Sequence, residues 1–284
     1  ISVNYRGYYV WELPPNGQGL VALLALNILQ GFEFDQQECV QTYHHQIEAM
    51  KLAFNDGFRY IADPRKTAVN VTDLLLEEYA RARRQEINER ARCPLPSKPL
   101  PGGTVYLATA DEQGNMVSYI QSNYTGFGSG LVVPGTGIAL HNRGHSFSFN
   151  PEHVNSLEPG KRPYHTIIPG FLTKDGEPVG PFGIIGALMQ PQAHVQVLMN
   201  AIDFGLHPQD ALDAPRWRWI KDNVVEVEQQ FAQHIAHQLE QRGHEVHIGL
   251  DPTPFGRGQI IWQSQNGVYC GGTESRTDGC IAAW

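Results

Sequence analysis

The sequence predicts a layered α/β fold, of mixed α+β type, and three observations carry that expectation. Residues 1 to about 92 are mainly helical in pattern, four prolines and two glycines then crowd residues 94–103, and the remainder mixes hairpin-like extended runs with helices. The strands gather around a hairpin and the helices flank it, with no regular strand–helix repeat. A hydrophobic fraction of 41% against 18% charged residues supports a sizeable core over 284 residues, in one large domain or two. The 29 glycines and 19 prolines point to many tight turns.

The first helix is expected over residues 17–30, an apolar run entered through Pro14-Pro15-Asn16 and stopped at Gly31. Asp35 is placed to cap a second helix reaching about Phe58, with Cys39, Tyr43, Ile47, Met50 and Phe54 on one stripe. Thr72-Asp73 starts a third, through about Glu89, whose alternating Glu and Arg residues read as a solvated face. Residues 94–103 can be neither helix nor central strand, and on composition alone they read as a linker. Residues 104–110 and 116–123 are extended, and Gly114-Asn115 marks the hairpin turn between them. Further strands are expected at 137–141, 166–172, 182–187, 224–227 and 259–263, with helices at 191–202 and 229–242. Arg216-Trp217-Arg218-Trp219 alternates as a half-buried strand does.

Composition excludes several function classes. A net charge of −8 with no basic run opposes nucleic-acid binding. No apolar run reaches the roughly 18 residues of a membrane span. The four cysteines form no C-x-x-C pair, so a zinc or thioredoxin-type site is not indicated. A Cys270–Cys280 disulfide is conceivable, and free core thiols are the expectation. His44-His45 lies in a helix, where adjacent residues do not share a face, so a packed or surface pair is expected there and not a metal site. Neither a phosphate-binding G-x-x-x-x-G-K-[ST] loop nor a G-x-S-x-G elbow occurs. The chain starts at Ile1, so a removed N-terminus or a fragment is expected; localisation stays open between cytoplasm and an exported compartment.

The chemistry gathers where the Pro-rich segment ends. Gly102-Gly103-Thr104 delivers a hydroxyl to the first position of a strand. Gly114-Asn115, Val117-Ser118, Ser122-Asn123 and Phe127-Gly128-Ser129 follow. Further on come Gly135-Thr136-Gly137, His141-Asn142, Lys161-Arg162-Pro163, Ile167-Ile168-Pro169, Gly183-Ile184-Ile185-Gly186-Ala187 and Asp213-Ala214-Pro215-Arg216. Together these ordered motifs resemble the small subunit of the gamma-glutamyltranspeptidase family, from residue 104 to 284. Tyr5-Arg6-Gly7-Tyr8, Pro14-Pro15 and Asp63-Pro64, within residues 1–103, resemble the last part of that family's large subunit, whose first part is then expected to be missing.

The resemblance implies a four-layer αββα sandwich of the N-terminal-nucleophile hydrolase type and a precursor that cuts itself before Thr104. The physics is independent of the likeness. A threonine hydroxyl needs a base. A freed α-amine has a pKa of roughly 7.7–8.0, so the same residue can supply both nucleophile and base. Before cleavage that nitrogen is an amide and is inert. Through the resemblance, Ser122 orients Thr104, Asn123 holds substrate, and the N–H groups of Gly186 and Ala187 form the oxyanion hole. The acyl pocket falls on Asn142, Arg143, Ser146, His165 and Thr166.

This sequence also departs from the family. The stretch Asn-Asn-Gln-x-Asp-Asp-Phe-Ser of the glutamyl pocket reads His141-Asn142-Arg143-Gly144-His145-Ser146-Phe147-Ser148 here. The carboxylate that would meet a substrate ammonium becomes Ser146, and Arg143 brings a cation suited to a carboxylate. Paired serines become His165-Thr166, and the usual histidine near the threonine is Tyr106. The implied activity is acyl transfer or hydrolysis of a small γ-glutamyl or glutaryl-type amide, without metal or organic cofactor. The implied partner is the missing large-subunit segment or a second copy. The competing reading is a catalytically silent homologue that serves as a binding or scaffold protein.

Overall fold

The computed structural model describes residues 1–67, 69–93, 103–264 and 266–284, so most of the Pro-rich segment, residues 94–102, lies outside the described residues. The first part comprises β1 (Ser2–Tyr5), β2 (Tyr8–Trp11), α1 (Gly19–Leu29), α2 (Val40–Tyr60), α3 (Val71–Leu74) and α4 (Glu77–Arg84). The hairpin β3 (Gly103–Ala110) and β4 (Met116–Tyr124) follows, then β5 (Gly170–Lys174), β6 (Glu177–Ile185), α5 (Met189–Ile202) and α6 (Pro208–Asp213). The chain closes with β7 (Trp217–Lys221), β8 (Val224–Glu228), α7 (Gln233–Gln241), β9 (Glu245–Gly249), β10 (Arg257–Gln263) and β11 (Tyr269–Thr273).

Among the described residues these strands form three sheets. The largest runs β1-β2-β5-β6-β10-β11, antiparallel throughout. Its first two strands come from residues 1–103 and the rest from residues 104–284. The hairpin β3–β4 stands as a two-stranded sheet, and β7-β8-β9 form a third in which α7 connects the parallel pair β8 and β9. Strand β6 shows how the layers stack. Its Phe182 meets His194 of α5 edge-on at 4.9 Å, whereas Gly183, on the opposite face by strand alternation, lies under the ring of Tyr106 from β3. Helices therefore cover one face of β6 and the hairpin covers the other. The mixed α/β class holds, with helix, sheet and hairpin layers stacked in turn. The outer hairpin face leaves Val105, Leu107, Val117 and Tyr119 exposed.

Several elements differ from the sequence reading, each for a local reason. Helix α2 starts at Val40 behind Cys39, not at an Asp35 cap, because the chain bends beforehand and the Thr42 hydroxyl donates to the Gln36 carbonyl at 2.7 Å. The single third helix is two short ones, broken where Leu76 is extended, and Asn70 supplies the cap to the Thr72 N–H. Nor is the Arg-rich face wholly solvated. Arg83 pairs with the buried Asp56, and Arg84 donates to the carbonyls of Asn27 and Ile28 at the end of α1. Residues 137–141 form no strand, only an isolated bridge from Val132 to Ala139. The strand expected at 166–172 begins at Gly170. All four thiols are free, yet none is a core residue: Cys93 and Cys280 are exposed, Cys39 and Cys270 half-buried. The Trp217/Trp219 alternation is a strand with both indoles buried.

The hairpin's seat depends on a missing side chain. A Cβ at Gly183 would stand 2.3 Å from Cε2 of Tyr106, inside the ring's own volume. Gly183→Val is expected to lower the free energy of unfolding by about 1–3 kcal/mol through overpacking. Urea denaturation checks this, and a paired Tyr106→Ala change should recover part of the loss.

Candidate active site

Alternation along β3 puts Thr104 on the inner face with the buried Tyr106, and Val105 and Leu107 on the outer one. The hairpin register sets Thr104 directly opposite Ser122, with an irregularity between Gly103 and Thr104. Across that pair the Thr104 hydroxyl donates to Ser122 Oγ at 3.1 Å. The Ser122 hydroxyl donates in turn to the Gly103 carbonyl at 3.0 Å, and its oxygen also accepts the Tyr124 N–H at 2.9 Å. A chain of hydrogen bonds thus runs from the Thr104 hydroxyl to the carbonyl of the peptide just before it. Ser122 has its proton and both lone pairs engaged, which fixes its rotamer.

Beyond the end of β4 lies a cavity of about 470 Å³. Tyr124, Ser146, Tyr164, Thr166, Ala187 and Leu188 are among the residues lining it, and among the described residues no carboxylate lines it. Ser146, Thr166 and Ala187 of the predicted site therefore share one cavity. Arg143 stands behind its wall. It lies in a 3-10 turn, Arg143–Ser146, with its guanidinium 5.0 Å from the Tyr124 ring centroid and Nη1 donating to Thr166 Oγ1 at 2.6 Å. Arg143 is only 3% exposed, and among the described residues its Nε and Nη2 have no acceptor. Burial pulls its pKa down to about 10, partly opposed by Tyr124. A buried cation with two idle donors and no carboxylate beside it is the least satisfied group near the cavity.

Other predicted residues do not converge on the cavity. Alternation turns the Asn123 side chain to the face opposite Ser122, and its carbonyl accepts the Asn142 N–H at 3.1 Å. The Asn142 amide clamps Thr125, accepting its N–H and donating to its hydroxyl. His165 accepts the Ile167 N–H on Nδ1, and burial, then Arg143, then His141, push it down to about 4, so the ring is neutral. Gly186 and Ala187 form the turn from β6 into α5, at φ +134° and +52°. A positive φ is costly for alanine and needs outside support.

That support is Gln18, a residue the sequence reading passed over. Fully buried at the mouth of α1, its Nε2 donates to the carbonyls of Ala187 at 2.7 Å and Thr166 at 2.6 Å, while Oε1 accepts the Tyr164 hydroxyl at 3.2 Å. No spacing or motif in the sequence marks it; in the structure its neighbour Gly17 is bridged to His165. Away from the cavity, His44, Glu48 and His244 bring possible metal-ligand atoms within 4.8 Å of one another. The sequence reading missed this because His244 arrives from another element. The two imidazoles already bond each other at 2.8 Å, and Glu48 is paired with the Lys51 ammonium at 2.8 Å, which opposes a further cation. No helix among the described residues is long and apolar enough to cross a membrane.

Comparison with known proteins fits this geometry. The family model described as Gamma-glutamyltranspeptidase matches residues 1–284. The glutathione hydrolase-like YwrD proenzyme of Bacillus subtilis is 38% identical, over 98% of this chain and 54% of its own length. The oxamate amidohydrolase proenzyme of Klebsiella pneumoniae is 34% identical, over 100% of this chain and 55% of its own. Among solved structures, a cephalosporin acylase from Bacillus halodurans superposes with a TM-score of 0.96 at 63% identity, over 100% of this chain and 52% of its own. The chain spans about half the length of the curated relatives it matches.

The His165 environment makes stability depend on pH. Its folded pKa of about 4 lies below the ordinary imidazole value of about 6.5, so the unfolded chain binds more protons between those values. The contribution is complete above pH ~6.5 and is lost as pH falls toward 4. His165→Gln is expected to flatten that part of the Tm-against-pH curve, measured beside the parent protein; an unchanged slope would contradict the assignment.

Proposed function

The chain belongs to the gamma-glutamyltranspeptidase family, and we propose that it is the catalytic part of a self-processing amidohydrolase or acyltransferase with Thr104 as nucleophile. The observation that carries this reading is the hydrogen-bond chain Thr104–Ser122–Gly103 carbonyl. In self-cleavage, Thr104 Oγ attacks the Gly103 carbonyl carbon. Ser122 accepts the hydroxyl proton and polarises the carbonyl oxygen with its own. The C–N bond breaks, the proton passes to the Thr104 nitrogen, and water then hydrolyses the resulting ester. That leaves Thr104 as a free N-terminus, with its amine beside its own hydroxyl.

The same hydroxyl then attacks a substrate amide, with the freed amine as base. The oxyanion is received by the N–H groups of Gly186 and Ala187. The amine product leaves, and water or a second amine takes the acyl group from Thr104. Side chains and backbone groups fill every role. The substrate class is a γ-glutamyl or glutaryl-type amide, whose acyl carboxylate would answer the idle Nε and Nη2 of Arg143, with Thr166 and Ser146 lining the acyl chain. The names of the relatives, hydrolase, amidohydrolase and acylase, favour amide chemistry of this kind. The uncovered apolar face of β3–β4 supports a partner layer, completing a four-layer sandwich. We assign it to the further length that the relatives carry, with a second copy of this chain as the alternative.

In the full-length protein, intact mass should show two pieces parting at Gly103–Thr104, and Thr104→Ala should stay whole; a Thr104→Ala protein that still parts there overturns the assignment. On a panel of γ-glutamyl and glutaryl amides, Arg143→Leu should raise KM for carboxylate-bearing acyl groups by roughly thirtyfold or more, as loss of one partner of a buried charge pair does. Turnover of none, with no acyl adduct on Thr104, would favour the scaffold reading.

A further inference from the structure

We propose that Gln18 is a positioning residue for the oxyanion turn. It would hold Ala187 in its strained conformation, and it would do so from the opposite side of the self-cleavage point. The inference rests on the reading of Gly186 and Ala187 as the oxyanion donors.

The two peptide planes flanking Ala187 are held from different directions. The Gly186 carbonyl accepts the Met189 N–H at 2.9 Å, which belongs to the start of α5. The Ala187 carbonyl accepts the Gln190 N–H at 3.2 Å and, more closely, Gln18 Nε2 at 2.7 Å. Only the last of these reaches in from residues 1–103. Both hydrogens of the Gln18 amide are engaged, on Ala187 and Thr166, and the Tyr164 hydroxyl fixes which end of the amide is nitrogen. The backbone of Gln18 is pinned as well, its N–H donating to the His165 carbonyl at 2.9 Å. A fully buried side-chain amide tied at three points, on a residue whose own N–H is tied at a fourth, is a rigid strut. It joins two walls of the cavity, Thr166 and Ala187, to the entrance of α1.

Self-cleavage and substrate turnover place different demands on this strut. In self-cleavage the carbonyl under attack belongs to Gly103 and is already served by the Ser122 hydroxyl. In turnover the carbonyl is the substrate's and is served by the turn that Gln18 braces. Loss of the Gln18 amide should therefore separate two reactions that share one nucleophile. A residue needed only for folding would impair both.

Gln18→Glu is the cleanest variant, since it keeps the shape and the acceptor for Tyr164 while replacing the donor by an oxygen that repels both carbonyls. In the full-length protein its self-cleavage is expected to stay within about threefold of the parent. The kcat for amide hydrolysis should fall roughly 100-fold with KM within about twofold, the loss that a small misplacement of catalytic groups brings. Gln18→Ala should show the same split, more weakly, because a water can enter. Crystal structures of the parent and Gln18→Glu proteins give a readout independent of substrate: Ala187 should shift by roughly 1 Å in the variant. A parallel fall of self-cleavage and turnover, an unchanged kcat, or an unmoved Ala187 would each overturn the proposal. A parent protein that hydrolyses no amide would refute the amidohydrolase reading instead, and the position of Ala187 would still decide the role of Gln18.

Discussion

A tyrosine ring lying on a glycine sets the geometry of this molecule. Tyr106 occupies the space over Gly183 that any side chain would fill, and in doing so it docks β3–β4 against β6. Docking fixes which face of β3 points inward. Because side chains alternate, Thr104 inherits the inward direction from Tyr106 two residues on, and Ser122 follows by register. A one-residue slip would turn Val105 to the inner face and both hydroxyls to the outside. Tyr106 is itself held by a 2.9 Å hydrogen bond to Ser118, its second neighbour on the inner face.

How much of this was legible in the sequence depended on whether a residue's role is local. The hairpin was, since residues 104–110 and 116–123 alternate and Gly114-Asn115 marks the turn; the observed strands differ by one residue at either end. The apolar run of α1 was legible within two residues for the same reason. The third helix was not, because its charge pattern is continuous while the chain breaks at an extended, exposed Leu76, after Leu74 has turned into the core. Strands β1 and β2 were invisible, for each is only four residues and the pair is joined to the sheet through β2 alone, on β5, some 160 residues away along the chain. At the site, Thr104 and Ser122 stand out by position and type. Gln18 could not, since its importance lies in two carbonyls contributed by distant segments.

The electrostatics near the cavity separate two kinds of cation. His165 is half-buried beside Arg143 and escapes the conflict by losing its proton, with its pKa near 4. Arg143 cannot do so at neutral pH, even with its own pKa drawn down to about 10. What it has instead is the π face of Tyr124 and a hydroxyl acceptor on Thr166, neither of which carries a full negative charge. By contrast, the buried Arg216 and Arg276 lie against Glu274 and Glu228, and that network knits α6, β7, β8 and the C-terminal segment together. The two arrangements place opposite demands on a ligand. The paired arginines need none, whereas Arg143 would gain from an anion brought to it.

Under the proposed cut at Gly103–Thr104 the protein would have to keep its shape without that bond, and the architecture would allow it. Strand β2, from residues 1–103, pairs with β5, from residues 104–284, over four residues in register, Tyr8 to Trp11 against Lys174 to Phe171. Helix α1, every residue of it buried, packs against α2 on its own side and α5 on the other. Trp217 donates from its indole to Gln46 of α2 at 2.9 Å, and Lys51 reaches Asn223. Apolar burial of this extent far exceeds what one peptide bond contributes to holding two already folded segments together, since closing even a long loop costs only a few kcal/mol. The consequence for chemistry is that cutting at Gly103–Thr104 need not loosen the site. It would change the nitrogen of Thr104 from an amide to an amine and leave Ser122, Ala187 and Gln18 held by the same ladders and core that held them before.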